Sequence, residues 1–391
     1  MITTINNKHN KLNVPNLRFP EFQGEWSVTT LQKDCIVNPT NEKIADKFVY
    51  VDLESVKQGQ LYKYQILTKD NAPSRAQRVL HTDDILFQCV RPYQMNNYMV
   101  KGTMSDIQWV ASTGYAQIRT QTDYPSFLYY VLNTSKYNKA VMVRCTGSSY
   151  PAINSEDLSK IPFYKCGIAE QKKIADFLSL IDERIATQNK IIDKLQSLIK
   201  GIVDSTILRK EKNAIVGDVC SISEQIRAEA NIDDIITVRL HGNGVCKSSA
   251  ENLQLGATQY YRRRAGQLIY GKQNFHNGAI GIVPISLDNG ITSKDIPSFD
   301  IDEMKCNSVY LLAQLQSPQY YKPAEALTTG TGSKRLKEET FLKMPIVLPN
   351  KREQDNIATL IISISANLDQ AKKMLDLFSI QKQYLLRQMF I

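Results

Sequence analysis

The sequence predicts an α+β chain: two mixed α/β domains joined by two long helices with a pseudo-two-fold, cyclic organisation. Two observations carry this. The first is a repeat at one constant offset. "IPFYKCGIAEQKKIADFLSLI" begins at Ile161, and its skeleton returns as "MPIVLPNKREQDNIATLIISI" from Met344. Pro162 and Pro345, Glu170-Gln171 and Glu353-Gln354, and Ile174 and Ile357 all stand 183 residues apart, as do Thr146-Gly147 and Thr329-Gly330. "DILF" at Asp84 and "QLIY" at Gln267 keep the same offset, which points to a tandem duplication. The second observation is a change of hydrophobic period after each repeated motif.

Ile174, Leu178, Ile181, Ile185, Gln188, Ile192, Leu195, Ile199 and Ile202 alternate in steps of four and three. That is the seam of a heptad, and it predicts a helix that pairs with another. Ile357, Ile361, Ile364, Leu368, Ala371, Leu375, Phe378, Lys382 and Leu385 repeat the pattern. Neither stretch holds a proline, and Gly201 is the one glycine. Each helix of about 40 residues would extend on the order of 60 Å. With a globular segment between its members, the pair is expected to be an antiparallel coiled coil. Gln188 and Lys382 are the polar positions expected to help set its register.

The segments between the helices read differently. "KFVYVDL", "DILFQCV", "QLIYG" and "AIGIVPI" are short β-type runs, separated by turn clusters such as "SLDNGITSKD". "SFLYYVLNTSKYNKAV" and "SVYLLAQLQSPQYY" predict helices in each globular segment. The expected division is a tail over 1–15, a first domain over 16–167, a first helix over 168–210, a second domain over 211–350 and a second helix over 351–391.

Composition narrows the class. Apolar residues make up 42% and charged residues 22% of 391, typical of a soluble globular protein. No apolar run approaches the roughly 18–20 residues of a membrane span. The polar start "MITTINNKHNKLN" has no apolar signal core, so a cytoplasmic protein is expected. Seven scattered cysteines without a C-x-x-C pair, and four histidines, predict reduced, buried thiols and no zinc site. The net charge is +9, divided as +5 over 1–167, +2 over 168–210, zero over 211–350 and +2 over 351–391. That excess permits a polyanionic partner without requiring one.

No catalytic motif withstands inspection. "GQLIYGKQN" outlines a phosphate-binding loop from Gly266, but Gln273 stands where Ser or Thr must hold magnesium, and "QLIY" reads as a strand. "HGNGV" at His241 is an isolated G-x-G. The Asn-Pro-Pro-aromatic tetrapeptide of amino-methyltransferases is absent, "NPT" at Asn38 being no substitute. What remains is polar and basic loop chemistry. The first globular segment offers Arg75, Gln77 and Arg78; Arg91, Tyr93, Gln94, Asn96 and Asn97; and Arg144, Ser148, Ser149 and Tyr150. The second offers Arg262, Arg263 and Arg264; Lys272, Gln273 and Asn274; and Thr331, Ser333, Lys334 and Arg335. Arg, Lys, Asn and Gln match the donors and acceptors on base edges, while Lys, Ser and Thr suit phosphates. Three clusters per segment, similarly placed, favour double-stranded DNA as the ligand.

"NVPNLRFPEFQGEW" from Asn13 and "TGSSYPAINSEDLSKIPFYKCGIAEQKKIADFLSLID" from Thr146, with its degenerate copy from Thr329 to Leu368, resemble the specificity subunits of type I restriction-modification systems. The resemblance implies that each globular segment is a target-recognition domain for one half of a split DNA sequence, with the helix pair as the ruler between halves. It implies two methyltransferase subunits as partners and, where present, two restriction subunits. S-adenosylmethionine, ATP and magnesium would then be bound by those partners, leaving this chain without a cofactor, metal or catalytic residue. The second copy reads "TGSKRLK" where the first has "TGSSYPAIN", so the two loops are expected to differ in detail. A coiled-coil scaffold whose end domains bind proteins is the alternative, and an enzyme with an unrecognised site a third.

Overall fold

The computed structural model describes residues 3–4, 13–40, 42–102, 107–248, 258–330 and 334–391. It divides into two compact units, Met1–Thr187 with Met374–Ile391, and Gln188–Lys373. Each unit therefore owns part of both long helices.

In the first unit, strands Tyr98–Met99, Ile85–Gln88, Tyr115–Thr120 and Cys35–Val37 form an antiparallel sheet in that order. A second sheet runs Gln65–Thr68, Lys47–Val51, Gln108–Ser112, Ala76–Val79, with Lys47–Val51 parallel to Gln108–Ser112. Helices Pro125–Leu132 and Ser135–Arg144 are the ones predicted from "SFLYYVLNTSKYNKAV". Proline at the first helical turn of the former costs no hydrogen bond there, and the Thr134 side chain caps the latter. Trp26, Phe127, Ile174, Leu178, Leu385 and Met389 share one core, so both long helices help to close it. Part of the expected tail belongs to this unit: Pro15 is buried and the Asn13 carbonyl accepts from Trp26 N at 2.7 Å.

The second unit repeats the plan with shorter strands. Cys220–Ile222, Ser298–Ile301, Leu268–Tyr270 and Ile280–Ile282 make an antiparallel sheet, and Arg227–Ala228, Tyr260–Arg262 and Ile291–Ser293 make another. "QLIY" is thus a sheet strand and no phosphate loop. Helix Ser308–Leu315 starts at Asn307, whose side chain accepts from Val309 N and Tyr310 N. Tyr270, Phe275, Phe299 and Phe341 pack ring against ring in the centre.

The repeated Glu-Gln explains how each long helix is fastened. Gln171 is buried; its Oε1 accepts from Tyr124 N at 2.8 Å and its Nε2 donates to the Cys166 carbonyl at 2.9 Å. Gln354, equally buried, accepts from Asn307 N at 2.9 Å and donates to the Pro349 carbonyl at 2.8 Å. All three positions in one set are 183 residues from those in the other. The amide therefore ties the start of the long helix to the start of the short helix that packs beside it. Glu170 is gripped by Arg18 through two 2.8 Å bonds, with both side chains buried, and Arg18 also donates to the carbonyls of Gln23 and Gly24. Its counterpart Glu353 pairs with Lys210 at the surface.

The helices run Ile168–Ile202 and Lys351–Gln388. The first passes into a wider π-helical turn, Val203–Leu208, which buries Val203 and Ile207. Ile174, Leu178, Ile181, Ile192, Ile357, Ile361, Ile364, Leu368, Ala371 and Leu385 are buried. Ile185, Leu195, Ile199, Ile202, Leu375 and Phe378 are half-buried, so no heptad position is left on the open face. The polar seam positions are satisfied: Gln188 Nε2 donates to the Ala371 carbonyl at 3.1 Å, and Lys382 pairs with Asp182 at 2.6 Å.

Candidate nucleic-acid interface

In the first unit, strand Ile85–Gln88 leads into a rigid tip. Arg91 and Met95 are held at φ 53° and 52°, left-handed values that flank the tight turn Pro92–Gln94. Such backbone persists only when its surroundings over-determine it. Gln88 does so here: its N–H donates to Asn97 Oδ1 (2.9 Å), its Oε1 accepts from Asn96 N (3.1 Å) and its Nε2 donates to Gln94 Oε1 (2.8 Å). Asn138 Nδ2 closes the turn on the Pro92 carbonyl at 2.9 Å. The loop after Arg144 lies against this tip, because Ile153 N donates to the Cys89 carbonyl (3.0 Å) and Arg91 N to the Pro151 carbonyl (2.8 Å). Arg91 stacks on the Tyr150 ring, 4.6 Å from its centre. Tyr93, Gln94, Ser148, Ser149 and Tyr150 are exposed beside them.

The third cluster joins the same neighbourhood. The Arg75 carbonyl accepts from Thr113 N, and the next residue, Gly114, accepts from Cys89 N. Arg75 and Gln77 are exposed, Gln77 donating back to the Ser74 carbonyl. Arg78 is half-buried; its Nε has no partner among the described residues, and burial holds its pKa below the usual arginine value. Arg144 is exposed and folds back on the Ala140 carbonyl.

The second unit brings the same two loops together by the same bond. Leu336 N donates to the Lys272 carbonyl at 2.9 Å, and both residues are 183 beyond Ile153 and Cys89. The tight turn Phe275–Asn277 matches Pro92–Gln94, and Gly278, at φ 76°, stands where Met95 stands. Tyr321 leaves no room for a Cβ at Gly278. Thr329 and Arg335 exchange two backbone bonds (3.1 and 3.0 Å), as Thr146 and Ala152 do at 2.9 Å. Gln273, Asn274, Lys334 and Arg335 are exposed. Carboxylates crowd this surface: Arg335 meets Asp295 at 3.2 Å and Lys334 meets Glu325 at 2.9 Å. Among the described residues Arg75, Arg91 and Arg144 form no ion pair. The first surface is the more positive of the two.

Residues 36–197 match the family model of the type I restriction modification DNA specificity domain. Through this segment the chain belongs to the type I restriction-modification specificity family. The type I S subunit from M. genitalium is similar in fold, with a TM-score of 0.62 at 14% identity over 97% of this chain and 99% of that one. A chain from a structure of complex assembly and conformational transition in the type I R-M system gives 0.51 at 17% identity, covering 92% and 96%. No curated protein matches the chain.

Several residues expected to read DNA in this type I specificity protein are structural instead. Arg263 is fully buried, donating to Thr292 Oγ1 (2.7 Å), Ser298 Oγ (3.0 Å) and the Ile296 carbonyl (2.9 Å). Burial pulls its guanidinium down to about 10, still charged at neutral pH. Arg262 and Arg264 on either side are exposed. Asn97 is buried, its amide spent on Gln88 and Asn133. Lys272 is 12% exposed and bound to Glu338 at 2.7 Å. Thr331 and Ser333 lie outside the described residues. Conversely, sequence reasoning passed over Gln88, Asp295 and Arg18, which shape or hold the surface; only the partners they meet reveal that role.

The described residues offer little to chemistry of their own. They contain no group of three or more possible metal ligands and no helix long and apolar enough to cross a membrane. Cys35, Cys89, Cys220 and Cys306 are buried, with thiols pushed up to about 12 by that burial. Cys145, Cys166 and Cys246 are only partly covered.

Proposed function

We propose that each repeat reads one half of a bipartite double-stranded DNA target, the chain being the specificity subunit of a modification complex. The observation that carries this reading is the shared loop pair: Arg91–Asn96 with Ser148–Tyr150, and Gln273–Asn274 with Lys334–Arg335. Both pairs are built on the same backbone bond, and the polar side chains outermost on them differ between the repeats. Arg91 and Gln94 can form paired bonds with base edges, while Ser148, Ser149 and Lys334 suit phosphates. The two long helices form an antiparallel coiled coil that sets the gap between half-sites and carries two methyltransferase subunits. The Gln188–Ala371 bond supports a pseudo-two-fold, since these residues are themselves 183 apart, as expected where such an axis crosses a chain. S-adenosylmethionine belongs to the methyltransferases. ATP and magnesium belong to restriction subunits where these join, and the assembly is cytoplasmic.

Replacing residues 211–350 with the matching segment of another specificity subunit is the test. Methylated adenines, mapped by sequencing DNA from cells holding the chimera and its methyltransferase, should change in one half of the target only. Simultaneous change of both halves, or none, would overturn the reading. A smaller change probes the phosphate interactions. Arg262→Ala with Arg264→Ala should weaken binding and lower the slope of log affinity against log salt by about 0.9 for each phosphate no longer neutralised. An unaltered slope removes both arginines from the interface.

A further inference from the structure

The second unit contains an open cavity of 470 Å³ between the end of the first long helix, helix Ser308–Leu315 and the middle of the second long helix. Its existence follows from four substitutions between the repeats. Adding 183 to Tyr129, Tyr130 and Asp182 gives Leu312, Ala313 and Ser365, and subtracting 183 from Lys382 gives Ile199; all four line the cavity. In the first unit this volume is full. Tyr129 and Tyr130 are buried, the Tyr129 hydroxyl lies against Gly59, and the Tyr130 hydroxyl donates to Asp182 Oδ2 at 2.8 Å beside Lys382. The backbone frame is retained: Gln58-Gly59 at φ 49° and 77° becomes His241-Gly242 at 58° and 71°, also on the cavity wall. Two rings and a phenol–carboxylate bond have been deleted while the frame that enclosed them stays.

A second observation defines what the space lacks. Asp204, on the wall, has a buried Oδ1 with no hydrogen-bond partner among the described residues. A buried acceptor without a donor leaves a desolvation cost unmet by folding, and a ligand that supplies an O–H recovers it. The remaining wall is largely apolar, including Val309 and Ile361. An apolar cleft of this size with one convergent acceptor is the usual form of a specific binding site.

We propose that this cavity is a socket for a tyrosine side chain of a partner subunit in the modification complex. Its ring takes the volume that Tyr130 and Tyr129 occupy in the first unit, and its hydroxyl donates to Asp204. The identity of the partner rests on the assembly proposed above; the chemistry of the socket does not. Because the first unit supplies its own tyrosines, the two docking faces of the chain are unequal, and one partner copy is gripped by an anchor the other lacks.

The full-length chain should bind p-cresol, followed by NMR shifts of the methyl groups of Leu312 and Val309. Ala313→Tyr, which restores the sister residue, should weaken p-cresol binding at least tenfold. Asp204→Ala should reduce affinity for p-cresol but not for toluene, which has no hydroxyl. In assembly with the methyltransferase, Ala313→Tyr should weaken association at least tenfold at unchanged circular dichroism. Ser365→Leu fills the cavity from the opposite wall and should do the same if Ala313→Tyr folds poorly. Absence of p-cresol binding to the wild type, or filled variants that assemble as the wild type does, would overturn the proposal. A chimera whose methylation map contradicts the half-site reading leaves the cresol result unaffected, so the two failures are distinguishable.

Discussion

Arg18→Ala is expected to destabilise the first unit by about 3–5 kcal/mol, because it strands a buried carboxylate. Glu170 is 4% exposed, and among the described residues the guanidinium supplies both of its side-chain bonds. Without Arg18 the charge must be protonated or drag water into the start of the long helix. The same arginine holds the carbonyls of Gln23 and Gly24, which then lose their donors as well. At roughly 2–4 °C per kcal/mol for a unit of this size, the first melting transition should fall by roughly 6–20 °C. The second unit contains its own control. Lys210→Ala breaks the matching pair with Glu353, but both partners are well exposed, and exposed pairs are worth about 0–1 kcal/mol. Calorimetry of the two variants decides it. Equal, small shifts would mean that Arg18 is not what fastens the helix.

Arg263→Met is expected to corrupt the second half-site and spare the first. The guanidinium bridges Thr292, Ile296 and Ser298, which frame the turn bearing Asp295. That turn in turn accepts from Lys272 N at 2.9 Å and from Arg335. Methionine fills much of the space yet leaves the Ile296 carbonyl and Ser298 hydroxyl short of a partner, each at about 1–3 kcal/mol. Arg263→Lys should not rescue, since a single ammonium cannot reproduce three divergent bonds. On the proposed reading, methylation mapping should show relaxed sequence at one half-site and the original sequence at the other. An unchanged map would reduce Arg263 to a purely local packing role.

The long helices are legible in the sequence because their period needs nothing but the chain: steps of four and three with no proline leave few alternatives. The repeat is legible for the same reason, and it marks Gln171 and Gln354 as a matched pair ahead of any view of their bonds. The burial of Arg263 is readable in principle. Tyr260–Arg262 is a strand, and alternation along its extension sends Arg262 and Arg264 outward and Arg263 inward. Counting three arginines as one cluster discards that alternation. Asn97 and Lys272 are not readable, because their fate depends on Gln88 and Glu338, partners that no local pattern announces. The cavity is hidden for a different reason: it is an absence, visible only when Ala313 is compared with Tyr130.

The amide fastenings and the Gln188–Ala371 bond together constrain how the chain can change length. From Gln171 to Gln188 is 17 residues, and from Gln354 to Ala371 is 17 again. At 1.5 Å per residue each arm is about 26 Å. A residue inserted into one arm alone makes the arms unequal and turns everything beyond it by about 100°, so either the fastening or the central bond must give way. Insertions matched in both arms keep them equal, and those of whole turns also keep each face in phase. Length in this protein is therefore a paired and stepped quantity, inherited two arms at a time.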